Sequence, residues 1–515
     1  VCALGGGVAC LVWSLGADRP PRATYDALAA EEFSTRVELA QAMVAARAER
    51  ADEGRIAATT AAERRAAVDS TWGDGLPTAQ KLALFDRFWA EVDRLFAAFQ
   101  GLEDLDWAGL RETYRREIER GVSAGRFAGI MTALSVRLRE SHTLAIDRTV
   151  STRTWPEPGV PLFIQGGWLQ DFSGTCVTAD ADGAALVYRA ARNHPLGLEA
   201  GDRILGYDGR PWAELYRELL EEELPISPQW WGSSPSAFEH SFVMSAGNNW
   251  HLFNTIDIAK VNGDEQHLST SPLASVAAFP FCSEQLDVPG VPMPVYGRSW
   301  VSWGVVEGTN IGYIYVWGWT GDAGVQFERA VRELTQKRST DGLVIDFRFN
   351  IGGNLFLSNP ALALLFDEPT VTIGFDERAS SGGHSSMSPA AEPTLYVIPG
   401  AGYTLARRYE KPIAVLTGPG AVSSGDQVAL RMTYHPRVRL FGKGTAAAFN
   451  APIRPNYHPN WYVAIAAADA YRVDAPHEYL THDEVRVDDP IWLTAEDVAS
   501  GRDTVVEAAL AWILR

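Results

Sequence analysis

Two stretches far apart in the chain constrain the fold most: Gly342–Asn354 (GLVIDFRFNIGGN) and Lys411–Leu430 (KPIAVLTGPGAVSSGDQVAL). Each opens with a short unbroken apolar run and ends in glycines. An apolar run without alternation reads as a strand buried on both faces, the mark of a parallel sheet. The glycines give the following loops unusual backbone freedom. In the second stretch Ser423-Ser424 leads into a helical pattern from Asp426 to Met432. A serine on a tight strand-to-helix turn is presented at a helix N-terminus. The pair Gly352-Gly353 could offer bare backbone N–H groups to a developing oxyanion.

From Asn310 onward strand and helix patterns alternate, predicting an α/β core with crossover helices. Strands are expected at Ile311–Val316, Leu343, Ile413–Leu416, Val438–Phe441 and Trp461–Ala466. Helical spacing covers Gly324–Leu334 and Phe356–Leu365. Residues 378–393 read as a polar loop, a candidate flap. Before this core the character differs. Residues 78–140 carry amphipathic helical spacing, with Leu82, Phe85, Phe88, Val92 and Phe96 on one stripe. Residues 160–290 are richer in Gly, Trp, Thr and Val. There Gly201-Asp202 precedes a short strand, and Asp208-Gly209 marks a hairpin turn. Residues 226–285 show no clean pattern. The expected fold is therefore multidomain α/β: a possible signal segment (1–17), an N-terminal helical region (18–150), a β-rich domain with an insertion (155–290) and an α/β core (300–515).

A chain of 515 residues exceeds one ordinary core. Its 64 acids outnumber 45 bases, and the five lysines (Lys81, Lys260, Lys337, Lys411, Lys443) form no basic stripe, which argues against a nucleic-acid partner. Val1–Gly16 is apolar and too short for a membrane span. It fits the core of a secretory signal cleaved near Gly16 or Ala17, with a lipid tether at Cys10 as a weaker alternative and a buried first helix as another. A secreted or periplasmic location is the expectation. Cys176 and Cys282 could pair in an oxidising compartment or remain buried thiols. No metal spacing, phosphate loop or dinucleotide fingerprint is present, so no metal or cofactor is expected.

The strand-loop Leu343–Gly353 resembles the L-I-x-D-x-R-x-N-x-G-G element of the tail-specific serine peptidases, which include the C-terminal processing peptidases and the tricorn core peptidase. Pro412–Leu416 followed by Ser423-Ser424-Gly425-Asp426 resembles the family's nucleophile segment. The resemblance implies a serine endopeptidase acting on peptides or unfolded proteins. It implies Ser423 as nucleophile, Ser424 being the runner-up, with the Ser424 N–H sharing an oxyanion hole with Gly352 or Gly353. Asp426 reads as structural. Pro195–Gly209 resembles part of a PDZ domain, with a peptide-carboxylate loop sought near Phe163–Gly167.

Two bases compete. Ser141-His142-Thr143 resembles an element of the tricorn-like branch, implying His142 as general base, Ser141 as a tetrad member and a downstream glutamate, placed at Glu478, that orients the histidine. Glu484 and His482 are the local competitors of Glu478. Lys443, in Phe441-Gly-Lys-Gly444, would serve a Ser-Lys branch, but a register running through Arg437–Gly442 puts Thr445 on the motif's threonine and Ala448 in the lysine slot. A catalytically silent relative that binds peptides or apolar ligands is the alternative from another class. An α/β-hydrolase is disfavoured, because Gly-x-Ser-x-Gly is missing and the histidine precedes the serine.

Overall fold

The computed structural model describes residues 60–151, 173–180, 183–225, 233–276, 282–295, 299–379, 382–399, 409–474 and 478–515. The expected signal segment and the Phe163–Gly167 loop lie outside the described residues. The front of the chain is helical, as the spacing predicts: α1 (Ala61–Trp72), α2 (Thr78–Leu95), α3 (Trp107–Glu119) and α4 (Ala124–Arg137). Thr60 and Glu63 close a capping box on α1, and the Ser123 hydroxyl accepts from the Arg126 N–H to start α4. Phe85, Phe88 and Val92 of α2 are fully buried, in one core with Phe127, Ile130 and Leu134 of α4. Strand β1 (Leu144–Asp147) and the short α5 (Arg148–Ser151) follow.

A second unit holds β2 (Thr175–Ala179), β3 (Ala185–Ala190), β4 (Arg203–Tyr207), β5 (Arg210–Pro211), α6 (Trp212–Glu221), α7 (Pro235–Asn248), β6 (Thr255–Ala259) and β7 (Glu265–Ser269). Its sheet runs β2-β3-β4-β6-β7, with β5 on β4. The two turns read from sequence bracket β4, and Asp208-Gly209 takes positive φ (+51° and +72°) as a tight hairpin requires. Residues without a clean pattern turn out to be α7, β6 and β7. Eight of the fourteen α7 residues are buried, among them polar Ser241, Ser245 and Asn248, so burial there does not follow an apolar stripe. Cys176 on β2 is disulfide-bonded to Cys282.

The rest of the chain comprises β8 (Val301–Val305), β9 (Ile311–Val316), α8 (Ala323–Arg332), β10 (Gly342–Asp346), α9 (Asn359–Leu365), β11 (Thr370–Arg378), β12 (Met387–Val397), β13 (Ile413–Thr417), α10 (Ser424–Thr433), β14 (Val438–Gly442), β15 (Ala451–Ile453), β16 (Trp461–Arg472), β17 (Glu478–Tyr479), β18 (Asp489–Pro490), α11 (Ala495–Ala499) and α12 (Thr504–Ile513). Strands order as β18-β14-β13-β10-β9-β8, all parallel except β8. β10 and β13, the two apolar runs, lie side by side with Leu343 opposite Ile413, and every residue of both is buried. That is why neither alternates in polarity.

A third sheet joins the two ends of the chain. Its order is β1-β16-β11-β12, with β15 and β17 also on β16. β1 pairs antiparallel with β16, Leu144 opposite Ala464, and Trp461, Val463 and Ile465 enter the core of the front helices. Residues 378–393 are not a free polar loop. Arg378 ends β11 and 387–393 begin β12, which pairs with it, and between them His384 is docked: its ring stacks on Phe99 at 3.8 Å and its Nε2 meets Asp93 Oδ1 at 2.8 Å. Among the described residues no helix is long and apolar enough to cross a membrane.

Candidate active site

Ser423 stands where the loop after β13 enters α10, with φ +60° and ψ −121°. A residue with a Cβ holds that conformation only when its surroundings impose it. They do: the Val422 N–H donates to Asn350 O (2.8 Å), the Gly425 N–H to Val422 O (2.9 Å) and the Gln427 N–H to Ser423 O (3.0 Å). A serine at this place ordinarily caps its helix. The Ser423 side chain makes no capping bond.

The Gly352-Gly353 loop lies directly against this turn. A Cβ on Gly352 (φ +81°) would stand 2.6 Å from Ser423 Cβ, and one on Gly353 (φ +123°) 2.3 Å from Trp319 O, so neither position accepts a side chain. The Gly352 N–H is committed to Asn350 Oδ1 at 3.1 Å. The Gly353 and Ser424 N–H groups have no acceptor among the described residues. Backbone N–H groups without a protein acceptor, one on the residue after Ser423 and one on the loop packed against its turn, are the kind of donor a tetrahedral oxyanion needs.

Asp426, read as structural, ties the turn to the next loop. Its carboxylate accepts from the Ala447 N–H (2.9 Å) and the Ala448 N–H (3.2 Å), and burial pushes its pKa up to about 8. Val422 packs with Ala446, Ala448 and Ala237 of α7. Gln427 Nε2 donates to Phe449 O at 2.7 Å. The 445–450 loop thus runs from the serine turn into β15, where Pro452 pairs with Ala466 of β16.

His142 reaches the same hairpin from the front of the chain. The neighbouring Thr143 Oγ1 accepts from the Ala466 N–H at 3.0 Å. His142 is buried, as is Ser141 before it. The carboxylate on the imidazole is Glu140: its Oε1 lies 3.2 Å from Nδ1, and its Oε2 accepts the His142 backbone N–H at 2.8 Å. A carboxylate on Nδ1 favours the tautomer with its proton on Nδ1 and the lone pair on Nε2.

Glu478, the sequence candidate for that place, is elsewhere. It is exposed on β17, with Arg472 and Arg486 each at 4.0 Å. Glu484 accepts from the Ser236 N–H, and His482 Nε2 meets Ala98 O. Lys443 Nζ is paired with Glu239 Oε2 at 2.5 Å and lies over the Trp492 ring. The structure therefore gathers Ser423, Ser424, Gly352 and Gly353 directly, anchors His142 on the shared hairpin, and leaves Glu478 and Lys443 in other ion pairs. The Glu140–His142 contact is not among the sequence expectations, which place the acid downstream; an acid two residues before the histidine, just past α4, is the available signal.

Behind the Glu140–His142 pair lies Asp469 of β16, fully buried. Its carboxylate accepts from Thr481 Oγ1 (2.6 Å) and Gln100 Nε2 (3.0 Å). Burial, reinforced by the charge of Glu140, pushes its pKa up to about 7. The unfolded value is about 3.9. Between those pH values the folded chain keeps a proton that the unfolded chain has released, so stability from this group is present at low pH and lost as pH rises through 7. Asp469→Asn removes the titration. Relative to wild type its unfolding free energy should rise by on the order of 2 kcal/mol between pH 5 and pH 8. Urea unfolding at the two pH values checks this; parallel pH profiles would refute it. Among the described residues no cluster of His, Cys, Asp or Glu could hold a metal ion.

A serine held at positive φ at a strand-to-helix turn, beside a glycine loop on a parallel α/β sheet, is an arrangement that hydrolases use to present a nucleophile. Residues 310–484 match the model of Peptidase family S41, and the match supports a serine-type peptidase. Among solved structures it is similar to mature CPAF complexed with lactacystin (13% identity, TM-score 0.57, covering 84% of this chain and 97% of that one). It is likewise similar to mature CPAF alone (11% identity, TM-score 0.56, 82% and 94% covered). The photosystem II D1 C-terminal processing protease also matches, at 15% identity and a TM-score of 0.42 over 80% of this chain and 92% of that one. No curated protein sequence matches the chain.

Proposed function

We propose that the chain is a serine endopeptidase in which Ser423 Oγ attacks the scissile carbonyl while His142 Nε2 takes its proton. Glu140 holds the imidazole tautomer and stabilises the imidazolium that forms. The Gly353 and Ser424 N–H groups receive the oxyanion. His142 then returns the proton to the leaving amine, and water, activated by the same imidazole, resolves the acyl-enzyme. The observation that carries this reading is the backbone of Ser423, held at positive φ with its hydroxyl released from capping. Peptides or unfolded proteins are the substrate class. The β2–β7 sheet is the candidate peptide-holding unit, through strand addition at an edge. The Cys176–Cys282 bridge suits a secreted or periplasmic setting.

The test is labelling by a fluorophosphonate probe and mapping of the adduct; stoichiometric modification of Ser423 is the expected result, and an unlabelled protein would sink the proposal. Glutamate assignment needs a separate comparison. Glu140→Gln should lower kcat by about 10²- to 10⁴-fold, while Glu478→Gln and Lys443→Ala stay within about threefold of wild type. Peptide-cleavage assays on the three variants decide it, and the opposite ranking would return the orienting role to Glu478.

A further inference from the structure

Of the two adjacent serines, the proposed reaction uses only the backbone of the second. Its side chain is nonetheless buried and specifically placed. Ser424 Oγ lies 2.8 Å from Gly353 O and 3.4 Å from Gln427 Oε1. A hydroxyl has one proton to donate, and it goes to the nearer acceptor. Gln427 cannot turn its amide nitrogen toward Ser424 instead, because Nε2 is held by Phe449 O.

The bond matters because of what it holds. The Gly352-Gly353 loop is fixed on one side by Trp319, whose N–H donates to Gly352 O (2.7 Å) and whose carbonyl accepts from the Asn354 N–H (2.7 Å). On the other side, toward α10, the Gly353 carbonyl is held by the Ser424 hydroxyl. Gly353 has no Cβ to restrict its rotation. Take away the hydroxyl and the peptides flanking Gly353 lose their anchor to the helix that carries the second N–H. We infer that the Ser424 hydroxyl is a positioning group of the reaction: it locks the glycine loop to the N-terminus of α10, so that the Gly353 and Ser424 N–H groups converge on one oxygen. The inference rests on the peptidase reading above and adds to it a role for the second serine that differs from nucleophile.

Ser424→Ala leaves Ser423, His142 and Glu140 in place. It should lower kcat by roughly 10- to 100-fold with KM within about twofold, because misplaced N–H groups affect the transition state and not substrate binding. Affinity for a peptide aldehyde, which forms a tetrahedral adduct at Ser423, should fall by the same factor as kcat. A merely structural loss would lower the thermal midpoint without that matched loss of aldehyde affinity. Ser424→Thr, which keeps the hydroxyl, should recover most of the activity. Should Ser424→Ala fail to fold, Ser424→Cys, nearly isosteric and a weak donor, replaces it with the same expected pattern at smaller amplitude.

Wild-type kcat in Ser424→Ala, or reduced kcat with unchanged aldehyde affinity, would overturn the inference. If the fluorophosphonate adduct moved to Ser424 and survived in Ser423→Ala, both this inference and the choice of nucleophile would fall. An inactive, unlabelled wild type is a different failure, and it belongs to the peptidase reading alone.

Discussion

Ser423→Ala should reduce peptide cleavage by roughly 10⁶-fold, since nucleophile and base act as a unit and removing either costs nearly the whole rate enhancement. Circular dichroism and the urea midpoint should stay close to wild type. No capping bond is lost, because the side chain makes none. Ser423→Gly sharpens the test. It should be equally inactive, yet more stable than Ser423→Ala by about 1 kcal/mol, because glycine adopts φ +60° without strain. An ordinary helix cap would behave in the opposite way: alanine would cost stability and activity would persist. Activity and urea unfolding of the two variants together separate a residue strained for chemistry from one that merely starts a helix.

The largest stability effect is expected at Arg348. This side chain is fully buried between two acids: Nη2 lies 2.8 Å from Asp346 Oδ2 and 2.9 Å from Asp503 Oδ2. Burial opposes its charge, and the charges of Asp346 and Asp503 outweigh that, holding its pKa above the ordinary range. The Tyr313 hydroxyl donates to Asp346 at 2.7 Å. Asp503 also caps α12 through the Val505 and Val506 N–H groups. Arg348→Met would strand two buried carboxylates and should cost about 3–5 kcal/mol. Adding Asp346→Asn and Asp503→Asn should restore part of that loss, because the triple variant leaves no buried charge unpaired. Urea midpoints of the single and triple variants measure both effects. A single variant within about 1 kcal/mol of wild type would mean that the network contributes little.

Much of this architecture was legible. β10 and β13 announced themselves because strands buried on both faces cannot alternate. Gly352 and Gly353 after β10 were readable because they take positive φ (+81° and +123°), which glycine adopts without strain. The amphipathic front helices were equally plain. What the sequence hid was mostly tertiary. β16 runs to Arg472 through Ala464–Asp469, a stretch of mostly small residues with weak strand preference, and the expected strand stops at Ala466. Pairing with β1, β11, β15 and β17 overrides that weak preference. Residues 378–393 looked polar because their turn faces outward, yet the hairpin is held at both its base and its docked tip. Glu140 was missed for a geometric reason: the turn after α4, with Arg139 at φ +48°, folds the acid back onto the ring two residues later. Periodicity carries no trace of such a contact, whereas Glu478, chosen for its chain order, lies exposed beside Arg472 and Arg486.

The pairing of β1 with β16 has a bearing on how such an enzyme is born. The residue proposed to withdraw the proton is made early, and the hairpin that seats it emerges from the ribosome only after the serine turn is complete. Until β16 is synthesised and captures β1, the nascent chain holds an attacking group with no partner to activate it. Competence to cut would then arrive as one of the closing acts of folding, which spares the half-made protein, and its neighbours, from premature digestion.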